Sequence, residues 1–143
     1  MYDVNTSSWT AVGQSSNSRY FAVEPGILAA VPNPGAIDDR QSAEENVTFQ
    51  NNYFREQGRG GVVLVFFDRM ASQDKEARRV YGMLPEENLM RATALVGGSL
   101  LGRAIASFFL GISKPRIPVK LFGTTEEAIA WARQLNQAKD ANR

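Results

Sequence analysis

Neither cysteine nor histidine occurs among the 143 residues, and both absences exclude chemistry before any pattern is read. Without cysteine there is no disulfide framework, thiolate zinc site or thiol nucleophile. Without histidine the commonest general base near neutral pH and the commonest metal ligand are missing. Net charge is scarce as well: sixteen basic against fifteen acidic residues leave +1, a weak field for attracting nucleic acid or an anionic membrane. The opening Met1-Tyr2-Asp3-Val4 lacks the basic segment and apolar run of a secretory signal, so the expected location is the cytoplasm.

What is present describes an ordinary folded protein, with 43% apolar and 22% charged residues and a length suited to one domain. The charge is unevenly spread. Residues 1–60 carry four Arg against seven acids, and residues 61–143 carry twelve basic against eight acidic residues, a contrast between faces that a partner would meet.

Residues 1–18 are rich in Ser, Asn, Thr and Gln, with Trp9 and Val12 as the large apolar exceptions, and read as a polar arm that is partly ordered at most. A single α/β domain is expected over 19–138, followed by a short tail at 139–143. Its first strands, 20–23 and 27–31, flank Pro25-Gly26, a pair that fits the centre of a type II turn between antiparallel strands; Pro32-Asn33-Pro34-Gly35 ends the second. Residues 38–57 read as an amphipathic helix capped by Asp38 and ended by Gly58, with Ala43, Val47, Gln50 and Phe54 on one side, widened by Phe49 and Tyr53.

The uninterrupted apolar run Val62–Phe67 predicts a central strand covered on both faces. Gln73 to Leu84 follows as a helix with Ala77, Val80, Tyr81 and Leu84 inward, capped by Ser72 or Asp74. Further strands at 92–96 and 119–122 bracket a helix at 100–112 and a proline-broken loop at 114–118. Thr124 and Glu127 have capping-box spacing ahead of a last helix whose face is Ala128, Trp131, Ala132 and Leu135. The order β-β-α-β-α-β-α-β-α implies a layered α/β fold on a mostly parallel or mixed sheet of four to five strands with about four helices.

Several patterns invite a sharper reading. The apolar stretch 95–112 contains Gly97-Gly98-Ser99 and Arg103, so strand, turn and helix account for it without a membrane span. Gly97 and Gly102 are spaced as in a phosphate loop, but Arg103-Ala104 stands where such a loop has Lys-Ser or Lys-Thr. Ser72-Gln73-Asp74-Lys75 matches Ser-x-x-Lys without its companion motifs. The acidic pairs Asp38-Asp39, Glu44-Glu45, Glu86-Glu87 and Glu126-Glu127 are adjacent and diverge on a helix, so they read as solvated faces and helix starts rather than metal ligands or paired acids. Asn46-Val47-Thr48 fits a glycosylation acceptor placed inside a helix. The basic residues Arg69, Arg78, Arg79, Arg103, Lys114 and Arg116 lack interleaved aromatics for nucleic acid. No catalytic residue, cofactor site or metal site is assigned.

The stretch Ala94-Leu95-Val96-Gly97-Gly98-Ser99 through Phe108-Phe109-Leu110-Gly111-Ile112-Ser113-Lys114-Pro115, then Pro118 to Phe122 and Glu126 to Trp131, resembles the SpoIIAA-like proteins of the STAS superfamily, which includes bacterial anti-sigma-factor antagonists. The likeness covers residues 19–136 by element order, and its specific part is 94–131. It implies a SpoIIAA/STAS-like fold acting in protein interaction or signalling. In the antagonists a serine at the start of the helix after the central strand is phosphorylated. Here the matching position falls at Asp74 or Lys75, with Ser72 out of register, so the phospho-switch does not carry over.

The expected function is therefore a non-enzymatic regulatory or scaffolding domain that binds another protein or a second copy of itself as a homodimer. The partner-binding residues expected are Arg69, Ser72, Asp74, Lys75 and Arg78, with Arg103, Phe108, Phe109 and Ile112 on the helix at 100–112, which is apolar nearly all round. The second reading is a carrier or sensor of a small apolar or lipid-like ligand held between that helix and the sheet. A third, an enzyme built on Ser, Lys, Asp and Arg, has no locatable site.

Overall fold

The computed structural model describes residues 4–98 and 116–141. The polar arm contributes the first strand, β1 (Thr10–Gln14), which pairs antiparallel with β2 (Ser18–Glu24). Pro25 and Gly26 then reverse the chain into β3 (Ile27–Pro32). Gly26 sits at φ +85°, the left-handed region that the third position of a type II turn requires and that glycine enters without steric cost.

From β3 the sheet continues in parallel through β5 (Gly61–Phe66) and β7 (Met90–Val96) to β8 (Val119–Phe122). The strand order β1-β2-β3-β5-β7-β8 makes the chain an α/β protein on a mixed sheet, with six strands among the described residues. The expected four to five strands omitted β1, whose five residues are all exposed and so show no apolar alternation to read.

Alternation across the central strands sorts the core into two faces. Phe21, Ile27, Ala29, Val31, Val62, Leu64, Phe66, Ala92, Ala94, Val96 and Phe122 point to one side. There Ala128 and Ala132 of the last helix, α3 (Thr125–Ala141), cover them together with Trp131, Leu135 and Trp9. Thr124 caps this helix by accepting the Glu127 N–H at 3.2 Å. The helix continues past 138 to residue 141, where Asp140 pairs with Arg59 and with the buried Arg91. Tyr20, Leu28, Ala30, Val63 and Met90 point to the other side, against Phe54, Phe49 and Tyr53 of α1 (Arg40–Gln57).

Two short strands escape the sequence reading. β4 (Ala36–Asp38) and β6 (Met70–Gln73) pair in parallel as a separate ribbon, and a single 3₁₀ turn, Phe67–Arg69, leads from β5 into β6. Their presence corrects three expectations. The cap of α1 is Asp39, which forms a capping box with Ser42, whereas Asp38 ends β4 and is buried. The helix expected over 73–84 is α2 (Lys75–Met83), capped by Asp74, whose carboxylate accepts the Ala77 N–H at 2.9 Å. Ala77 and Val80 pack on Ala43 and Val47 of α1, but Leu84 lies outside the helix and is 45% exposed.

Candidate functional site

The expected partner-binding residues divide in two. Arg69, Ser72, Asp74, Lys75 and Arg78 lie together because they are close in sequence, from the 3₁₀ turn through β6 into the first turns of α2. Ser72, Asp74 and Lys75 are exposed, and Arg69 and Arg78 are half-buried. Most of them already have local work. The Arg69 carbonyl accepts the Gly35 N–H, Asp74 caps α2, and Arg78 Nη1 donates to the Gln73 carbonyl at 3.0 Å. Arg103, Phe108, Phe109 and Ile112, with the helix expected at 100–112, lie outside the described residues.

Exposed apolar surface gathers near the first group. Among the described residues the large apolar side chains left exposed are Val12, Ile37, Met83 and Leu84. Three of the four sit on β4 or at the end of α2. Ile37 is 65% exposed and pairs with Ser72 across the ribbon, and Met83 is 66% exposed.

Beneath this surface lies a second, polar constellation. Ser42, Asn46 and Gln50 repeat at intervals of four along the inner stripe of α1 and are buried, facing the sheet alongside Val47 and Phe54. Asn46 is the hub. Its Oδ1 accepts the Tyr20 hydroxyl at 2.7 Å and the Ser15 hydroxyl at 2.6 Å, and its Nδ2 donates to Asn17 Oδ1 at 3.0 Å and to the Tyr81 hydroxyl at 3.1 Å. Gln50 Nε2 donates to Tyr20 at 3.0 Å.

Asp38 anchors the other end of the network. At 3% exposure, its carboxylate accepts from Asn17 Nδ2 at 3.2 Å, Ser42 Oγ at 2.6 Å and Gln73 Nε2 at 3.1 Å. The Tyr81 hydroxyl is hydrogen-bonded to it as well. Asp38, Asn17, Asn46, Gln50, Gln73 and the two tyrosines, with apolar Ala30, Val65, Phe67, Met70, Met90 and Leu95, line a cavity of about 40 Å³ between the sheet, α1 and α2.

Electrostatics fix the state of the two phenols. Burial, reinforced by the nearby Asp38 charge, pushes both the Tyr20 and Tyr81 hydroxyls well above the usual tyrosine range; the Gln50 hydrogen bond to Tyr20 and the Asn46 bond to Tyr81 offset part of the shift. Both stay protonated through the neutral range and act as fixed hydrogen-bonding dipoles. Among the described residues no group of three or more acidic side chains is placed to hold a metal ion, and no helix is long and apolar enough to cross a membrane.

The sequence pattern puts Gln50 on the helix face but gives no role in a site to Asn17, Asn46, Tyr20, Gln73 or Tyr81, and marks Asp38 as a helix cap. The available signal was the spacing of Ser42, Asn46 and Gln50: polar side chains repeating every fourth residue on a stripe shared with Ala43, Val47 and Phe54 must be buried with them.

Residues 21–136 match the family described as Domain of unknown function (DUF7793). A search for relatives among curated proteins found no match.

Proposed function

The chain belongs to the DUF7793 family, and from that premise we propose that it is a non-enzymatic protein-interaction domain whose contact surface is formed by the β4–β6 ribbon and α2. The observation that carries this reading is the exposure of Ile37 on β4 and of Met83 and Leu84 at the end of α2, on elements that also expose Ser72, Asp74, Lys75 and Arg79. Isolated exposed apolar side chains are common. Three on neighbouring elements with a charged rim resemble the anchors of a small interface.

The likeness to SpoIIAA-like proteins belongs to the same proposal, supported by the succession of hairpin, helix, central strand and helix from β2 to α2 and by the residues that carry it at 94–131. The absence of serine at 74 and 75 makes the proposed interaction independent of a phosphoserine there. Partner capture and size-exclusion chromatography with light scattering test the surface, using Ile37→Asp and Met83→Asp against wild type. Loss of self-association or of a captured partner, with unfolding stability held within about 0.5 kcal/mol as for other surface changes, supports the proposal. Wild-type behaviour of both variants in association and capture refutes it.

A second reading, a carrier or sensor of a small ligand, is favoured by the cavity beneath α1 and α2. Its polar wall argues for a ligand with a hydrogen-bonding end rather than a wholly apolar one.

A further inference from the structure

We propose that the cavity between the sheet, α1 and α2 binds a small organic ammonium, a protonated primary amine with a short apolar tail. The inference deepens the small-ligand reading and is independent of the interaction surface. Its first support is an orphan acceptor. Gln73 lines the cavity, and its Oε1 is buried with no hydrogen-bond partner among the described residues. Turning the amide does not resolve this, because Nε2 donates to Asp38 Oδ2 at 3.1 Å; the reversed amide would set an oxygen against a carboxylate. The site therefore lacks a donor.

The second support is charge. Asp38 is buried and held by neutral groups, Asn17, Ser42, Gln73 and Tyr81. None of the ion pairs among the described residues includes it. A buried carboxylate with no ion-pair partner among the described residues is costly, and a bound cation offsets that cost. An anion would meet the same carboxylate unfavourably. A ligand without donors would leave Gln73 Oε1 unpaired.

Shape supplies the third support. The cavity of about 40 Å³ has room for about three to four water-sized groups, and its remaining wall includes Val65, Met70 and Leu95. An ammonium group against Asp38 and Gln73, followed by two or three carbons along that wall, satisfies both polarity and size.

Propylammonium is the probe. Titration of ¹⁵N-labelled full-length protein with propylammonium chloride, followed by NMR, is expected to give saturable shifts of the Gln73 and Asn17 side-chain amides. Dissociation constants for 1-propanol and potassium chloride are expected to be at least tenfold weaker. Gln73→Met, at the half-exposed end of β6, is expected to weaken propylammonium at least tenfold while the backbone spectrum stays folded. Asp38→Asn should act in the same direction. Should that variant unfold, the Gln73→Met comparison still decides. Saturable binding of 1-propanol with no preference for propylammonium overturns the ammonium assignment but keeps the cavity as a ligand site. Equal binding of potassium overturns it in favour of a metal cation. Absence of saturable shifts with every probe overturns both this inference and the small-ligand reading, leaving water as the occupant.

Discussion

Removing the Asn46 side chain tests whether the buried network holds the fold as its geometry requires. In Asn46→Ala four hydrogen bonds disappear, and their consequences differ. Asn17 Oδ1 keeps the Ser18 hydroxyl at 3.0 Å, Tyr81 keeps Asp38, and half-buried Ser15 can turn toward Asn17. The Tyr20 hydroxyl proton has no such alternative, because Tyr20 is fully buried and its other bond is one it accepts from Gln50. Two buried bonds at about 1 kcal/mol net each, plus an orphaned donor at the lower end of about 1–3 kcal/mol, give a destabilisation of about 3 kcal/mol. That is a large part of a stability of about 5–15 kcal/mol.

Tyr20→Phe removes the hydroxyl and leaves Gln50 Nε2 without this partner, at about 1–2 kcal/mol. Once Tyr20 is Phe, Asn46→Ala no longer orphans the hydroxyl, so its cost falls to about 1–1.5 kcal/mol and the pair should show a coupling of about 1.5–2 kcal/mol. Urea unfolding of the four species, followed by the fluorescence of Trp9 and Trp131, supplies the cycle. Both tryptophans pack on the opposite face of the sheet, so they report global unfolding rather than local repacking. A coupling below about 0.5 kcal/mol with unchanged m-values would refute the argument that Asn46 and Tyr20 act as one buried unit.

Alkaline unfolding should expose the two locked phenols. Their folded pKa values are raised, so their contribution is fully present below the unfolded tyrosine value of about 10 and is lost as pH rises from there toward the folded values. In that window each should lower stability by about 1.4 kcal/mol per pH unit, and Tyr20→Phe should reduce the slope by that amount in chemical denaturation at stepped pH; an unchanged slope would count against Tyr20 as a source. Close packing at the start of β5 gives a steric prediction. A Cβ at Gly61 would lie 2.4 Å from the Gly26 carbonyl oxygen and 2.5 Å from Phe54 Cε1, so Gly61→Ala should cost about 3 kcal/mol or more. At Gly82 in α2 a Cβ meets nothing within 4 Å among the described residues, and Gly82→Ala should stabilise by about 0.5–1 kcal/mol in the same denaturation assay.

Legibility in the sequence followed the size of the apolar signal. The hairpin could be read from Pro25-Gly26 between two apolar runs, the central strand at 62–66 from its uninterrupted apolar run, and the stripes of α1 and α3 from burial at a period near four. β1 could not, since an exposed edge strand of Thr, Ala, Val, Gly and Gln carries no such period. β4 and β6 are three and four residues long, and their shape depends on one pairing with the other across more than thirty residues. Missing them turned Asp38 into a helix cap and Gln73 into a helix residue. The stretch 69–78 was legible as a cluster because the chain itself holds those residues together. The buried network was not, because its members come from the β1–β2 turn, β2, β4, β6, α1 and α2, and polar side chains are mostly exposed unless partners compensate them.

The way α2 is held leads to a final prediction. Its apolar contact with α1 is small, two buried residues, Ala77 and Val80, against Ala43 and Val47. Polar contacts position the rest. The Asp74 N–H donates to the Asp38 carbonyl at 3.0 Å, Asn51 bonds the Leu84 carbonyl and the Glu86 N–H, and Tyr81 reaches Asn46 and Asp38. Such contacts contribute about 1 kcal/mol each, whereas β5 is buried between strands and by side chains on both faces. Hydrogen exchange should therefore show α2 amides opening locally, at free energies below the global value by about 2 kcal/mol or more, while β5 amides exchange only through global unfolding. Equal protection of α2 and β5 would refute this account. A gap narrowed by propylammonium but not by potassium would connect the cavity to the helix that carries the proposed contact surface, because a ligand seated against Tyr81 and Gln73 binds only the closed form.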